Sequence, residues 1–223
     1  LLLLAIDTAS RFISLALHDG QRLYFESTWH TANNHTIELA PGIRHALAQT
    51  QIAVTDLTAV AVSQGPGSFT GLRIGLSMAK GLAMAQQIAL VVIPTLDIVA
   101  AGVPASDGAL VAVLQAGRGR ICAQRYARAG EHWRQAGQPV ITTWEQQIET
   151  VEQLTLFAGE IDDTGRTLLA ASTRPVKIAP GAFALRRAGF LAELAWARVR
   201  NGDTDDPAAV TPVYLHQPGV PTP

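Results

Sequence analysis

Short apolar runs alternate with segments of helical period along the chain, and the order of these patterns repeats once. Residues 2–7, 12–17 and 22–27 read as three strands. The second and third are joined by His18-Asp19-Gly20-Gln21, whose Asp-Gly pair is a hairpin signal. Residues 36–49 carry Ile37, Leu39, Ile43 and Leu47 at helical spacing, with Pro41 near the first turn, where a proline costs least. Residues 58–63 and 88–93 are continuous apolar runs rich in β-branched side chains, the pattern of strands covered on both faces. After Val103-Pro104-Ala105-Ser106-Asp107-Gly108, which has the composition of a linker, the plan starts again. Strands are expected at 110–114, 121–126 and 132–135, a helix at 144–152, a strand at 154–158 and a long helix at 182–200. The expected organisation is one unit over residues 1–103 and a second over 104–223, the second owning the C-terminal helix.

Between the strand at 58–63 and an apolar helix at 71–87 lies Gly65-Pro66-Gly67-Ser68-Phe69-Thr70-Gly71-Leu72-Arg73-Ile74-Gly75. Its glycines permit positive φ and close backbone approach, and Ser68 or Thr70 is placed to cap the helix. Two readings stand. A strand-to-helix corner with unpaired amides and a helix dipole suits a phosphate, with Gly67, Ser68 and Thr70 as its contacts. The same corner also serves as a tight turn that packs a helix closely onto a sheet. The lysine and following hydroxyl residue of a P-loop are absent. Only Arg73, Ser77 and Lys80 make a polar stripe on the helix, far narrower than a surface helix presents. Gly71, Gly75, Ala79 and Ala83 form a smooth ridge at four-residue spacing. One side is therefore expected on the sheet, another against a second helix and a partner chain. Leu39, Ile43, Leu47, Leu72, Gly75, Leu76, Ala79 and Ala83 are the expected partner surface. Cover by the chain's own C-terminal helix is the alternative.

Composition narrows the classes. At 223 residues with 48% apolar and 16% charged positions, a substantial core is expected and disorder is not. A formal charge of −1 gives no global attraction for nucleic acid. The single cysteine, Cys122, excludes an internal disulfide and fits a reducing compartment. The Leu1-Leu2-Leu3-Leu4-Ala5-Ile6 run lacks the basic flank of a signal peptide and reads as a buried strand, so a cytoplasmic protein without a membrane span is expected.

Two βββαβα units in tandem resemble the actin-like architecture of sugar kinases, heat-shock ATPases and actin. The fold class this implies is α/β and actin-like, with two lobes, the second reduced. In that fold a carboxylate near the first hairpin of each lobe serves the nucleotide's phosphates and metal. Asp7 stands at that place in the first lobe, while its counterpart, Gln115, carries no charge and is a poor metal ligand. The other role open to Asp7 is to cap its own hairpin turn.

Ala5-Ile6-Asp7-Thr8, His35-Thr36 leading to Leu39 and Pro41, the Gly65 to Gly75 run, Pro94-Thr95-Leu96 and Pro212-Val213-Tyr214-Leu215 together resemble the TsaB family, also called YeaZ. The resemblance implies a non-catalytic subunit of the bacterial machinery that makes threonylcarbamoyladenosine beside the anticodon of tRNA. It implies pairing with TsaD, an actin-like homologue carrying the metal and the transferase site. TsaE, an ATPase, joins them, and TsaC makes the threonylcarbamoyl-adenylate donor. The same resemblance implies a homodimer in isolation, through the first-lobe helices, and only indirect engagement of tRNA. No tightly bound cofactor is implied; ATP or ADP is allowed at the interface with TsaD. Two stretches depart from the family pattern: Gln115-Ala116-Gly117-Arg118-Gly119-Arg120, where an Asp-Ala-Arg element is usual, and His216, where arginine is common.

Other chemistry finds no support. His18, His30, His35, His45, His132 and His216 make neither a His-x-x-x-His pair nor an HExxH helix, so no metal site is expected. No Gly-x-Ser-x-Gly elbow is present, and Cys122 reads as a small core residue, so no catalytic residue is expected. Arg118, Arg120, Arg125 and Arg128, and again Arg186, Arg187, Arg198 and Arg200, form basic clusters that suit either tRNA phosphates or a solvated face. The rival function is an autonomous actin-like ATP-dependent kinase or ATPase.

Overall fold

Each half of the repeat closes around its own sheet. The computed structural model describes residues 1–32 and 34–214. The chain forms two compact units, Leu1–Ile98 with Arg186–Val213, and Val99–Leu185 with Tyr214. The first unit opens with β1 (Leu3–Asp7), β2 (Phe12–His18), β3 (Leu23–His30), α1 (His35–Thr50), β4 (Ala59–Gly65), α2 (Phe69–Gln86) and β5 (Ala89–Pro94), and the chain leaves it within α3 (Thr95–Ala101). The second unit contains β6 (Ala109–Gly117), β7 (Arg120–Ala129), β8 (His132–Gln135), β9 (Val140–Thr142), α4 (Trp144–Glu149), β10 (Thr155–Gly159), α5 (Asp163–Ala171) and β11 (Val176–Ile178). The chain then re-enters the first unit at Arg186 and forms α6 (Ala188–Arg200).

The first sheet has the order β3-β2-β1-β4-β5, with β1 antiparallel to β2 and parallel to β4. Every residue of β1 is buried, which explains its uninterrupted apolar run. One sheet face, with Leu4, Ile6, Leu15, Val60 and Val62, meets Leu39 and Ile43 of α1 and Leu76, Ala79 and Ala83 of α2. The opposite face presents Ala5, Ala16, Ala59 and Ala61 with Leu3, Val91 and Ile93, and there Ala188, Leu191, Ala192 and Ala195 of α6 lie against it. Small side chains on both partners let α6 come close to the strands.

That packing corrects the expected domain division. The C-terminal helix was assigned to residues 104–223, but α6 belongs to the first unit, because its apolar stripe fits the alanine-rich face of the first sheet. The helix is also shorter than the expected 182–200. Gly181–Ala184 is a single 3-10 turn, and Leu185 and Arg187 have extended dihedrals before α6 starts.

The second sheet has the order β11-β10-β6-β7-β8, with β9 pairing β7. Taken in chain order, this matches the first sheet strand for strand, as the repeat predicts. Val111, Val113, Ile121, Ala123 and Phe157 form its core with Trp144, Val151 and Leu169. The flanking helices α4 and α5 have 6 and 9 residues, against 16 and 18 for α1 and α2, and this is where the second unit is reduced. No helix among the described residues is long and apolar enough to cross a membrane.

Candidate functional site

The carboxyl ends of β1 and β4 bring together Asp7, Thr8 and the glycine-rich corner. In doubly wound sheets this edge is where ligands sit. Asp7, predicted to face phosphate or metal, is 2% exposed and fully engaged. Its Oδ1 accepts from the Ala9 amide at 2.8 Å and from Ser63 Oγ at 3.0 Å, while Oδ2 accepts from Arg186 Nε at 2.9 Å. The turn-capping reading of Asp7 is thus met through Ala9. The partner Arg186 comes from the start of the C-terminal segment, and sequence reading had placed it only in a basic cluster.

The glycine-rich corner is spent largely on packing. Side-chain atoms built at Gly67, Gly71 and Gly75 would collide with the Ala9 carbonyl, the Thr8 carbonyl and Thr8 Oγ1 respectively. Close approach of α2 to the end of β1 therefore requires these positions to lack a Cβ. Thr8 Oγ1 donates to the Gly71 carbonyl at 2.8 Å, and the Ser68 amide donates to the Ala9 carbonyl at 2.8 Å. Ser68, not Thr70, is the helix cap, its Oγ accepting from the Gly71 amide at 3.2 Å. Thr70 is exposed on the first turn, and Gly67 is exposed at the corner. Of the two readings of this run, the observed contacts are those of the packing turn.

The helices α1 and α2 show which of their apolar stripes is left at the surface. Leu39, Ile43, Leu72, Gly75, Leu76, Ala79 and Ala83, named as a partner surface, are all buried within the first unit, and Leu47 is half-buried. The ridge of small residues that was expected to meet a second chain instead meets Thr8 and the sheet. Outside it lies a different apolar stripe, Ile74, Met78 and Leu82 at four-residue spacing and each half-buried, and elsewhere on the two helices Ile37, Phe69 and Met84 are exposed by 68%, 53% and 65%. An open groove of about 550 Å³ runs between the two helices, lined by Thr36, Leu39, Arg73, Ile74, Ser77, Met78, Gly81 and Leu82. The Arg73 guanidinium lies 3.7 Å from the centre of the Phe69 ring. Lys80, the third member of the expected polar stripe, donates to the Val210 carbonyl at 3.0 Å and so ties α2 to the C-terminal segment. Counting which stripe of α2 shares its phase with Gly71 and Gly75 would have separated the two surfaces.

In the second unit Gln115 is exposed, its backbone amide donating to Glu160 Oε2 at 3.0 Å and its side-chain amide to the Glu160 carbonyl at 2.8 Å. Arg128 pairs with Asp107 at 2.6 Å, and Arg118 sits at the β6–β7 turn with φ +56°. Cys122 is buried, and burial pushes its thiol up to about 12, which suits a core residue. Among the described residues no group of three or more His, Cys, Asp or Glu is arranged to hold a metal. Leu215 and His216 lie outside the described residues.

Comparison with known proteins fits this geometry. The family model described as "TsaD: tRNA N6-adenosine threonylcarbamoyltransferase" matches residues 29–209. The chain is 28% identical over 160 residues to a tRNA threonylcarbamoyladenosine biosynthesis protein TsaB of Bacillus subtilis, covering 70% of each chain. It is 35% identical over 130 residues to the protein of that name from Escherichia coli, a match spanning 56% of this chain and 55% of that one. The solved YeaZ structure from Pseudomonas aeruginosa superposes with a TM-score of 0.78 at 25% identity, over 96% of this chain and 99% of that chain.

Proposed function

Because this chain belongs to the TsaB (YeaZ) family, with its actin-like fold, we propose that it serves tRNA threonylcarbamoyladenosine synthesis as a non-catalytic subunit that docks and activates a TsaD-like transferase. The observation that carries the docking reading is the open groove between α1 and α2, lined by Ile74, Met78 and Leu82, on helices that also expose Ile37, Phe69 and Met84. An apolar surface of this kind, with arginine and methionine among its residues, has the composition of an interface core. The TsaD-like subunit brings the metal and the transfer chemistry. A TsaE-like ATPase joins the assembly, tRNA is met through it, and the isolated chain pairs with itself over the same face. ATP or ADP belongs to the contact with the transferase subunit; Asp7, with both oxygens engaged inside this chain, supports that assignment.

Affinity capture of the TsaD-like subunit from the same genome tests the docking face. Met78→Asp and Ile74→Asp place a charge on the half-buried stripe and should weaken association about 30-fold or more, as expected for an interface centre, while each variant remains folded with a modest fall in melting temperature. Leu76→Asp, inside the core, should instead unfold the first unit. Retention of full affinity by both surface variants would overturn the docking surface.

A further inference from the structure

We propose that Arg186 is a built-in cation that closes the first unit's carboxylate site to metal. The actin-like architecture implies a metal-bound phosphate near the first hairpin, so the residues at Asp7 can be tested for fit. They do not fit. A divalent cation of the magnesium or manganese kind needs several oxygen ligands that are free to turn toward it. Here Asp7 Oδ1 already accepts from the Ala9 amide and Ser63 Oγ, and Oδ2 accepts from Arg186 Nε at 2.9 Å. The side chains of Asp7 and Arg186 are 2% and 5% exposed, so the pair is removed from water. Among the described residues, the one buried side-chain oxygen without a hydrogen-bond partner is Thr95 Oγ1, just past β5. A single hydroxyl does not replace a carboxylate as a ligand for a hard cation.

The guanidinium is fixed in place by the residues that follow it. Arg187 Nε donates to Glu26 Oε2 at 2.8 Å, the Ala188 amide to Ser14 Oγ at 2.8 Å and the Gly189 amide to Glu26 Oε1 at 2.8 Å. The amides of Ala188 and Gly189 open α6, which has no local side-chain cap, so β2 and β3 cap the helix from a distance. Arg186 is thereby delivered to Asp7 by a segment anchored at three successive positions. Swinging it aside would undo those contacts as well as the ion pair. A positive charge supplied by the chain itself takes the place that a divalent cation would have had beside Asp7. Neither Asp7 nor Arg186 lines the groove between α1 and α2, so failure at this pair and failure of the docking face are distinguishable.

Four forms of the full chain test it: unchanged, Asp7→Asn, Arg186→Met and the double variant, each followed by thermal melting and by Mn²⁺ binding in electron paramagnetic resonance. The unchanged chain and Asp7→Asn should give the same Mn²⁺ isotherm. Arg186→Met should melt well below the double variant, because removing one partner strands a buried charge while removing both does not. Millimolar Mn²⁺ should raise the melting temperature of Arg186→Met, and Asp7→Asn should abolish that rise. Mn²⁺ binding by the unchanged chain that depends on Asp7 would overturn the proposal, as would an Arg186→Met variant indifferent to Mn²⁺. Should Arg186→Met yield no folded protein, the double variant decides: recovery of a cooperative melt supports the proposal, and equal failure overturns it.

Discussion

At Asp19 one carboxylate settles the β2–β3 turn. Its Oδ1 accepts from the amides of Gln21 and Arg22 at 2.8 and 2.7 Å, and its Oδ2 accepts from the Tyr24 hydroxyl at 2.8 Å. The two backbone bonds, then the Tyr24 bond, hold its pKa at about 2, below the usual 3.8. The same contact raises Tyr24 above 10.0, because the neighbouring carboxylate favours the protonated phenol. A depressed acid contributes stability above its unfolded pKa and loses it as pH falls, so the Asp19 contribution should fade from about pH 4 toward pH 2. A raised phenol contributes fully below pH 10 and loses its contribution as pH climbs through the folded value. Carbon NMR titration of Asp19 and ultraviolet titration of Tyr24 should show both edges, and Asp19→Asn should return Tyr24 toward 10. The turn was legible in sequence because its Asp and Gly are adjacent. The pairing of Asp7 with Arg186 was not, since its partners are 179 residues apart and neither residue type names the other.

Helix α2 is apolar around most of its circumference, and this limits what its pattern can tell. Its existence and extent were plain, as were those of α1 and the strands that build the two sheet centres. With nearly every position apolar or small, however, two stripes competed for the sheet and the sequence offered little contrast between them. The glycines decide the phase. Gly75→Ala puts a methyl group onto Thr8 Oγ1 and should cost about 1–3 kcal/mol by overpacking. Adding Thr8→Ala should recover part of that loss in a denaturant-unfolding cycle. Gly81→Ala faces open space at the groove and should instead gain about 0.5–1 kcal/mol from helix propensity. Short elements were missed for another reason: β9 and β11 have 3 residues each, too few to display a period, and they form because β7 and β10 offer an edge. In the last turn of α6, Arg198 holds the following segment by donating to both oxygens of Asp203, to Asp205 and to the Val92 carbonyl. Its hydrogen bonds lower the Asp203 pKa and raise that of Arg198. Arg198→Ala should speed amide exchange along β5, where Asp205 accepts from the Val92 amide at 2.8 Å.

For the whole molecule, the duplication was readable from element order, yet the assignment of α6 was not, because an amphipathic helix at the end of a chain carries no label for the sheet it will cover. Cutting at residue 103 divides the chain where the linker composition invites it and leaves the first unit without α6. Leu3, Ala5, Ala61, Val91 and Ile93 would then face water on one side of the sheet, and Asp7 would lose its guanidinium partner. Both consequences are costly, the first through lost apolar burial and the second through an unpaired charge. A fragment of residues 1–103 should therefore bind a hydrophobic dye and melt without cooperativity. Adding a peptide of residues 186–213 in trans should restore a cooperative transition, and the same peptide carrying Arg186→Met should restore it less well. A fragment of residues 1–103 that melts cooperatively by itself would show that α6 and its arginine are dispensable to the first unit.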